Sequence, residues 1–318
     1  MTGTPGREHG GGLDAAIARH GGSRAEWIDL STGINPQPYP LPELAPDCWH
    51  ALPDSGAQQA LERAARRFWN IPEGLSVLAA PGASALITRI PFLMPAGTVS
   101  IPGPTYNEHE AAFAGAGWRI GTGPMPDSAA DALVLVHPNN PDGRLHPPGL
   151  AGRRLTVIDE SFCDLQPDAS HVGRALPENA IVLKSFGKFW GLAGLRLGFA
   201  IGRAGLLARL GEALGPWPVS GPALAVGTAA LSDPGWAERT RLRLARDATR
   251  LDALMLAAGA RPVGGTSLFR LYAVADAGAW QARLARRRIW TRRFGHIPRW
   301  LRLGLPAPAQ WPRLEAAL

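Results

Sequence analysis

At 318 residues with 46% hydrophobic side chains, the chain has material for one large or two modest domains with a buried core. No run approaches the roughly 20 apolar residues that a bilayer span needs, and the opening MTGTPGREHGGG lacks the apolar heart of a signal peptide, so a cytoplasmic protein that does not bind membranes is expected. The net charge of +7 and pI near 10.3 point to an anionic partner, whereas the two cysteines lack metal-ligand spacing and read as core residues, with no metal site.

Residues 1–45 are rich in Gly and Pro and read as an N-terminal arm. From Gly56 the pattern becomes regular. AQQALERAARRFW repeats apolar positions at helical spacing, SVLAA reads as a short strand, and ASALITRIPFLM returns to helix until proline intervenes. The apolar runs TVSIP, ALVLVHP, LTVIDE, AIVLKS and LGFAIG follow, separated by helical or loop segments. This is the rhythm of an α/β domain with a mostly parallel central sheet flanked by helices, expected over 46–211.

Two helices are predicted next, at PALAVGTAALS and WAERTRLRLARDATRLDALMLAAG. SLFRLYAV, a helix through WQARLARR, RIWTRRF and WLRLGLP then suggest a smaller α+β C-terminal domain over 212–318. The basic segment RLARRRIWTRRFGHIPRWLRLG interleaves Trp290, Phe294 and Trp300 with arginines, a pattern that single-stranded nucleic acid can use. Its short apolar runs read instead as strands with arginines at their ends, so no nucleic-acid partner is expected.

In open α/β sheets, ligands bind beyond the carboxyl ends of the strands. Three strands open there into HPNNPDG, DESFCDL and SFGKFWGLAGLRLG. Taken singly, Asn140 is a turn former before Pro141, Asp159 a structural carboxylate and Lys188 a surface lysine. Their combination is more specific. Only two of the 33 basic side chains other than histidine are lysines, Lys184 and Lys188, and since arginine does not give up its proton only these can supply a neutral amine.

The ordered set PGAS (81–84), PTY (104–106), NNPDG (139–143), DESF (159–162), SFGK (185–188), GLRLG (194–198) and LRLG (301–304) spans nearly the whole chain. With it the chain resembles the fold-type I pyridoxal-phosphate enzymes, the aspartate aminotransferase superfamily, in the branch containing histidinol-phosphate aminotransferase and threonine-phosphate decarboxylase. The resemblance implies the PLP-dependent transferase fold, pyridoxal 5'-phosphate as cofactor, and a homodimer with active sites at the subunit interface. It places Lys188 as the Schiff-base lysine, Asp159 as partner of the pyridinium nitrogen and Asn140 as donor to the ring hydroxyl. Tyr106 would stack on the ring, and the phosphate would rest on the amides of Ala83 and Ser84, the Ser185 hydroxyl and Arg196. Lys184, too early in the motif, reads as a strand-end residue with a solvated head.

On the substrate side, Arg302 matches the arginine that grips an α-carboxylate bidentately, and Arg292 one that faces a substrate phosphate, with Arg293 the alternative because adjacent strand residues point to opposite faces. His9-Gly10-Gly11 and LSTGINP (30–36) look like arm segments of the decarboxylase, which makes His9 and Asn35 candidates for the phosphate and Ile34 a cover over the substrate. The chain departs from the wider pattern at Phe162 and Leu52, where relatives often carry tyrosines. The implied activity is decarboxylation of L-threonine O-3-phosphate to (R)-1-amino-2-propanol O-2-phosphate, a step of cobalamin biosynthesis. The alternative is histidinol-phosphate aminotransferase or a related class I/II aminotransferase, because the same residues can build either kind of enzyme.

Overall fold

The computed structural model describes residues 9–148, 153–174 and 176–318. In chain order, α1 (Leu13–His20), β1 (Ile28–Asp29), α2 (Asp47–His50) and α3 (Ser55–Phe68) come first. One sheet is then built from β2 (Ser76–Ala80), β3 (Thr98–Ser100), β4 (Arg119–Gly121), β5 (Ala132–Val136), β6 (Leu155–Asp159), β7 (Ala180–Ser185) and β8 (Gly198–Gly202). Between its strands lie α4 (Ala83–Ile87) and α5 (Asn107–Gly115). Next are α6 (Ala204–Leu214), α7 (Gly221–Leu231), α8 (Pro234–Ala257), β9 (Arg261–Thr266), β10 (Phe269–Ala273) and α9 (Ala277–Ala285). The chain closes with β11 (Ile289–Trp290), β12 (Arg292–Phe294), β13 (Ile297–Gly304) and α10 (Trp311–Glu315).

These elements form two compact units, residues 38–239 and residues 1–37 with 240–318. Residues 38–45 and 212–239 therefore group with the large sheet, whereas the segmentation read from sequence divides the chain at 45 and 211. α7 packs along α3, which draws the segment after 211 to the larger unit.

The seven strands are ordered β2-β8-β7-β6-β5-β3-β4. All neighbouring pairs from β4 to β7 are parallel, and β8 runs antiparallel to both β7 and β2. ALVLV and LTVID are buried at every position, as strands covered on both faces must be. Val134, Val157, Ile181, Leu86 and Phe113 lie in the main core cluster, and such side chains each contribute about 1.5–3 kcal/mol on burial. The parallel strands bring Asn140, Asp159 and Ser185 to one end of the sheet.

Several local expectations are corrected. The helix expected up to Pro91 is shorter: α4 stops at Ile87, and a 3-10 turn covers Ile90–Leu93. Thr88 Oγ1 bonds the carbonyls of Ser84 and Ala85, and Pro91 disfavours helical geometry at the residue before it. Lys184 is not solvated. It is 1% exposed, with Nζ 2.6 Å from Glu160 Oε2. Of the two cysteines, Cys163 is buried as expected and Cys48 only half-buried. Among the described residues, no helix is long and apolar enough to cross a membrane.

In the smaller unit β12-β13-β10-β9 form an antiparallel sheet, and β1 pairs with β11 in parallel. Leu13, Ala16, Trp27 and Ala285 make a separate cluster there, so part of the Gly-rich arm is a packed helix rather than irregular chain.

Candidate active site

A cavity of about 120 Å³ in the larger unit is lined by Ala83, Ser84, Tyr106, Asn140, Asp159, Ser185, Lys188 and Arg196. Every residue expected to hold the cofactor thus borders one space, as do Phe162 and Ser161. β5, β6 and β7 deliver Asn140, Asp159 and Ser185, and the turn after β7 delivers Lys188. Lys188 Nζ stands 5.5 Å from the centre of the Phe162 ring.

Asp159 is 2% exposed and held on both oxygens. The amide and hydroxyl of Ser161 donate to Oδ1 at 3.0 and 2.5 Å, while Oδ2 lies 2.8 Å from His109 Nε2. Burial pushes this carboxyl up, yet the His109 and Ser161 contacts outweigh it and hold the pKa below the ordinary value. A carboxylate results at neutral pH, buried and oriented. His109 was not anticipated. It is the third residue of α5, three after Tyr106, the extended residue that precedes the helix, and the two rings stand 6.1 Å apart between centroids.

Also at the cavity, α4 is preceded by Gly82 (φ 82°) without a side-chain cap, leaving the amides of Ala83 and Ser84 at the helix start without a helical acceptor. The backbones crowd closely here. A Cβ on Gly198 would stand 2.4 Å from the Ala83 nitrogen, and one on Gly82 would stand 2.5 Å from an Arg196 guanidinium nitrogen. Arg196 itself takes a left-handed conformation (φ 54°), with Nη1 donating to the Ala193 carbonyl at 3.1 Å. The glycines let a guanidinium and two backbone amides converge, an arrangement suited to phosphate. The cavity therefore offers an amine, a buried carboxylate, an aromatic ring, an amide side chain and a cationic cradle. That donor set fits a phosphorylated pyridine aldehyde at each of its functional groups.

The smaller unit holds the substrate candidates. Arg302 and Arg292 are cross-strand partners in the β12–β13 ladder, whereas Arg293 pairs with Leu301. Directly opposed residues share a face, so Arg292 is the arginine beside Arg302 and Arg293 points away. A cavity of about 280 Å³ is bordered by His9, Gly11, Arg19, Ser31, Thr291 and Arg292, with Arg293 also at its edge. Arg292 Nη1 donates to the His9 carbonyl at 2.5 Å.

Arg302 is 5% exposed, and its Nη2 donates to the Ser31 carbonyl at 2.6 Å. Burial first, then the charge of Arg292, lowers its pKa to about 9, with Asp29 opposing. It remains a cation at neutral pH, and an arriving anion would relieve both penalties. Asn35, 2% exposed, accepts from Arg243 at 2.8 Å and from the Gln37 amide at 3.0 Å, and Ile34 is half-buried beside it. Neither borders the His9 cavity. Asp29 and Ser31 were not anticipated: Asp29 accepts from the Ser31 hydroxyl at 2.5 Å, and that hydroxyl accepts the Gly11 amide at 2.7 Å. The glycine run has a physical reason, since a Cβ on Gly10 would lie 2.4 Å from the Ser31 carbonyl oxygen and Gly11 sits at φ +88°.

The model of the family described as aminotransferase class I and II matches residues 25–315. The chain belongs to that family. This class I and II aminotransferase-family chain is also 40% identical to a threonine-phosphate decarboxylase of a Sinorhizobium species and 42% identical to one of Pseudomonas aeruginosa, in each case over 98% of this chain and 97% of the relative. Its fold matches the crystal structure of histidinol-phosphate aminotransferase from Sinorhizobium meliloti in complex with pyridoxal-5'-phosphate, with a TM-score of 0.79, 21% identity, and coverage of 97% of this chain and 93% of that one.

Proposed function

We propose that this family member is a pyridoxal-phosphate-dependent lyase that decarboxylates L-threonine O-phosphate. The observation that carries the reading is end-to-end identity of 40–42% with two threonine-phosphate decarboxylases. Bound pyridoxal 5'-phosphate supplies an electron sink for the pair left at the substrate α-carbon when the bond to the carboxylate breaks. The chain's residues do the rest. Lys188 anchors the cofactor through its amine and carries the proton that replaces CO2 at the α-carbon. Asp159, held ionised by His109 and Ser161, keeps the ring nitrogen protonated, Asn140 donates to the ring hydroxyl, and Tyr106 covers the ring.

Ala83, Ser84, Ser185 and Arg196 hold the cofactor phosphate. Arg302 takes the substrate carboxylate and Arg292 the substrate phosphate, with His9 beside Arg292 at the same cavity and Asn35 and Ile34 supporting the arm away from that cavity. The cross-strand pairing supports this division, because neighbouring guanidiniums on one face suit a substrate whose two anionic groups sit on adjacent carbons. Pure protein given L-threonine O-phosphate should release CO2 and form 1-amino-2-propanol O-phosphate with no keto acid present. Turnover of histidinol phosphate that requires a keto-acid acceptor, without CO2 release, would assign the aminotransferase reaction instead.

The reading includes a homodimer. Leu41, Trp49 and Leu52 lie 66–69% exposed within one short segment of the larger unit, and Trp217 is 53% exposed. Large apolar side chains grouped this closely in sequence suit a subunit interface, where contiguous apolar patches are buried. A sizing column with light scattering should give twice 33.7 kDa, and a fully active monomer would refute the pairing.

A further inference from the structure

We propose that Lys184, the lysine outside the cavity, is a positioning residue: it locks the ends of β6 and β7 together from behind the sheet and so fixes Asp159 relative to Lys188. The proposal rests on the roles assigned above to those two residues. Adjacent residues of a strand face opposite ways. On β7, Ser185 borders the cavity and Lys184 turns away from it; at the end of β6, Asp159 borders the cavity and Glu160 turns away. Behind the sheet the two outward residues meet, Lys184 Nζ to Glu160 Oε2, at 2.6 Å. The backbone joins them as well, the Glu160 amide donating to the Leu183 carbonyl at 2.9 Å.

The same cluster reaches the segment that carries Lys188. Asp164 Oδ1 lies 3.7 Å from Lys184 Nζ. Asp164 accepts Trp69 Nε1 at 2.8 Å on one oxygen and Trp190 Nε1 at 3.1 Å on the other. Trp190 follows Lys188 by two residues and is clamped between the stacked rings of Phe186 and Trp236, at 5.0 and 5.3 Å. Glu160 is completed by the Ser170 hydroxyl at 2.7 Å and the His171 amide at 2.6 Å. A single cation thus ties the strand end behind Asp159 to the turn that presents Lys188.

Burial opposes the charge on Lys184, but Glu160 and Asp164 outweigh it and raise its pKa; Glu160, likewise buried, is lowered by Lys184. The other titratable groups of this region do not compete. His137 and His171 are lowered mainly by burial, and burial raises Cys163. Apolar residues of matching volume often equal or exceed a buried ion cluster in stability, so the role proposed for this cluster is a defined register rather than added stability.

The test uses the full-length protein reconstituted with pyridoxal 5'-phosphate, comparing wild type, Lys184→Met and the double variant Glu160→Gln/Lys184→Met. The double variant removes both charges of the close pair, which protects folding if the single change exposes an unpaired buried carboxylate. Three quantities are read: the melting temperature, the dissociation constant of the cofactor, and the pH at which its near-visible absorbance is half changed. In the folded double variant the dissociation constant should rise by about tenfold or more, as when support is removed from a group that holds a ligand, and the half-change pH should move. A double variant that loses melting temperature alone, with wild-type cofactor affinity and half-change pH, overturns the positioning role. Lys188→Ala serves as the separate control: if that variant retains the absorbance, the assignment of Lys188 fails rather than that of Lys184.

Discussion

Lys188→Ala is expected to abolish the near-visible absorbance of the reconstituted protein and to lower CO2 release from L-threonine O-phosphate by about 10³-fold or more, the scale set by losing a covalent anchor that also carries a proton. The side chain is half-buried and borders the cavity, so its removal opens space rather than a hole in the core, and circular dichroism should be unchanged. Lys188→Arg should fail equally, because a guanidinium keeps its charge and cannot supply a neutral amine. Either variant turning over at near wild-type rate would remove Lys188 from the chemistry.

Asp159→Asn should reduce kcat by about 10²- to 10³-fold with the fold intact, the range found when one preorganised polar contact to the reacting electrons is lost. The geometry sharpens the expectation. Oδ1 receives two donors from Ser161 and Oδ2 faces His109 Nε2, so an asparagine must turn its amide nitrogen toward one of these neighbours. It also cannot hold a proton on the ring nitrogen as a carboxylate does. Steady-state kinetics with cofactor in excess, read beside the cofactor dissociation constant, separates lost chemistry from lost binding. Unchanged kcat with only weaker cofactor binding would reduce Asp159 to a simple tether.

Much of this site is legible in the sequence because its parts sit where one kind of element ends. ALVLV, LTVID and AIVLKS are apolar enough to be recognised as buried strands; Asp159 closes the second, and Asn140 and Lys188 follow the first and third within four residues. What eluded a reading along the chain depends on contacts between distant positions. The hydrogen bond of His109 to Asp159 needs α5 docked over the end of β6, fifty residues away. Burial of Lys184 depends on Glu160, one residue past the end of the neighbouring strand, and nothing within IVLKS announces a counter-ion. The choice between Arg292 and Arg293 is a matter of register against Arg302. β1 was hidden in the Gly- and Pro-rich arm because its partner, β11, comes some 260 residues later. β9 escaped for a different reason: RPVGGT has the composition of a turn and becomes a strand only beside β10.

The two lysines leave the protein with an unusual chemical economy. With Lys184 buried against Glu160, Asp164 and the Trp69 ring, Lys188 is the one lysine that borders the cavity, the other strongly basic side chains being arginines. On the role proposed for Lys188, borohydride reduction with the cofactor bound should therefore mark a single lysine in the chain. Peptide mapping can count active sites directly, without a substrate and without an engineered tag.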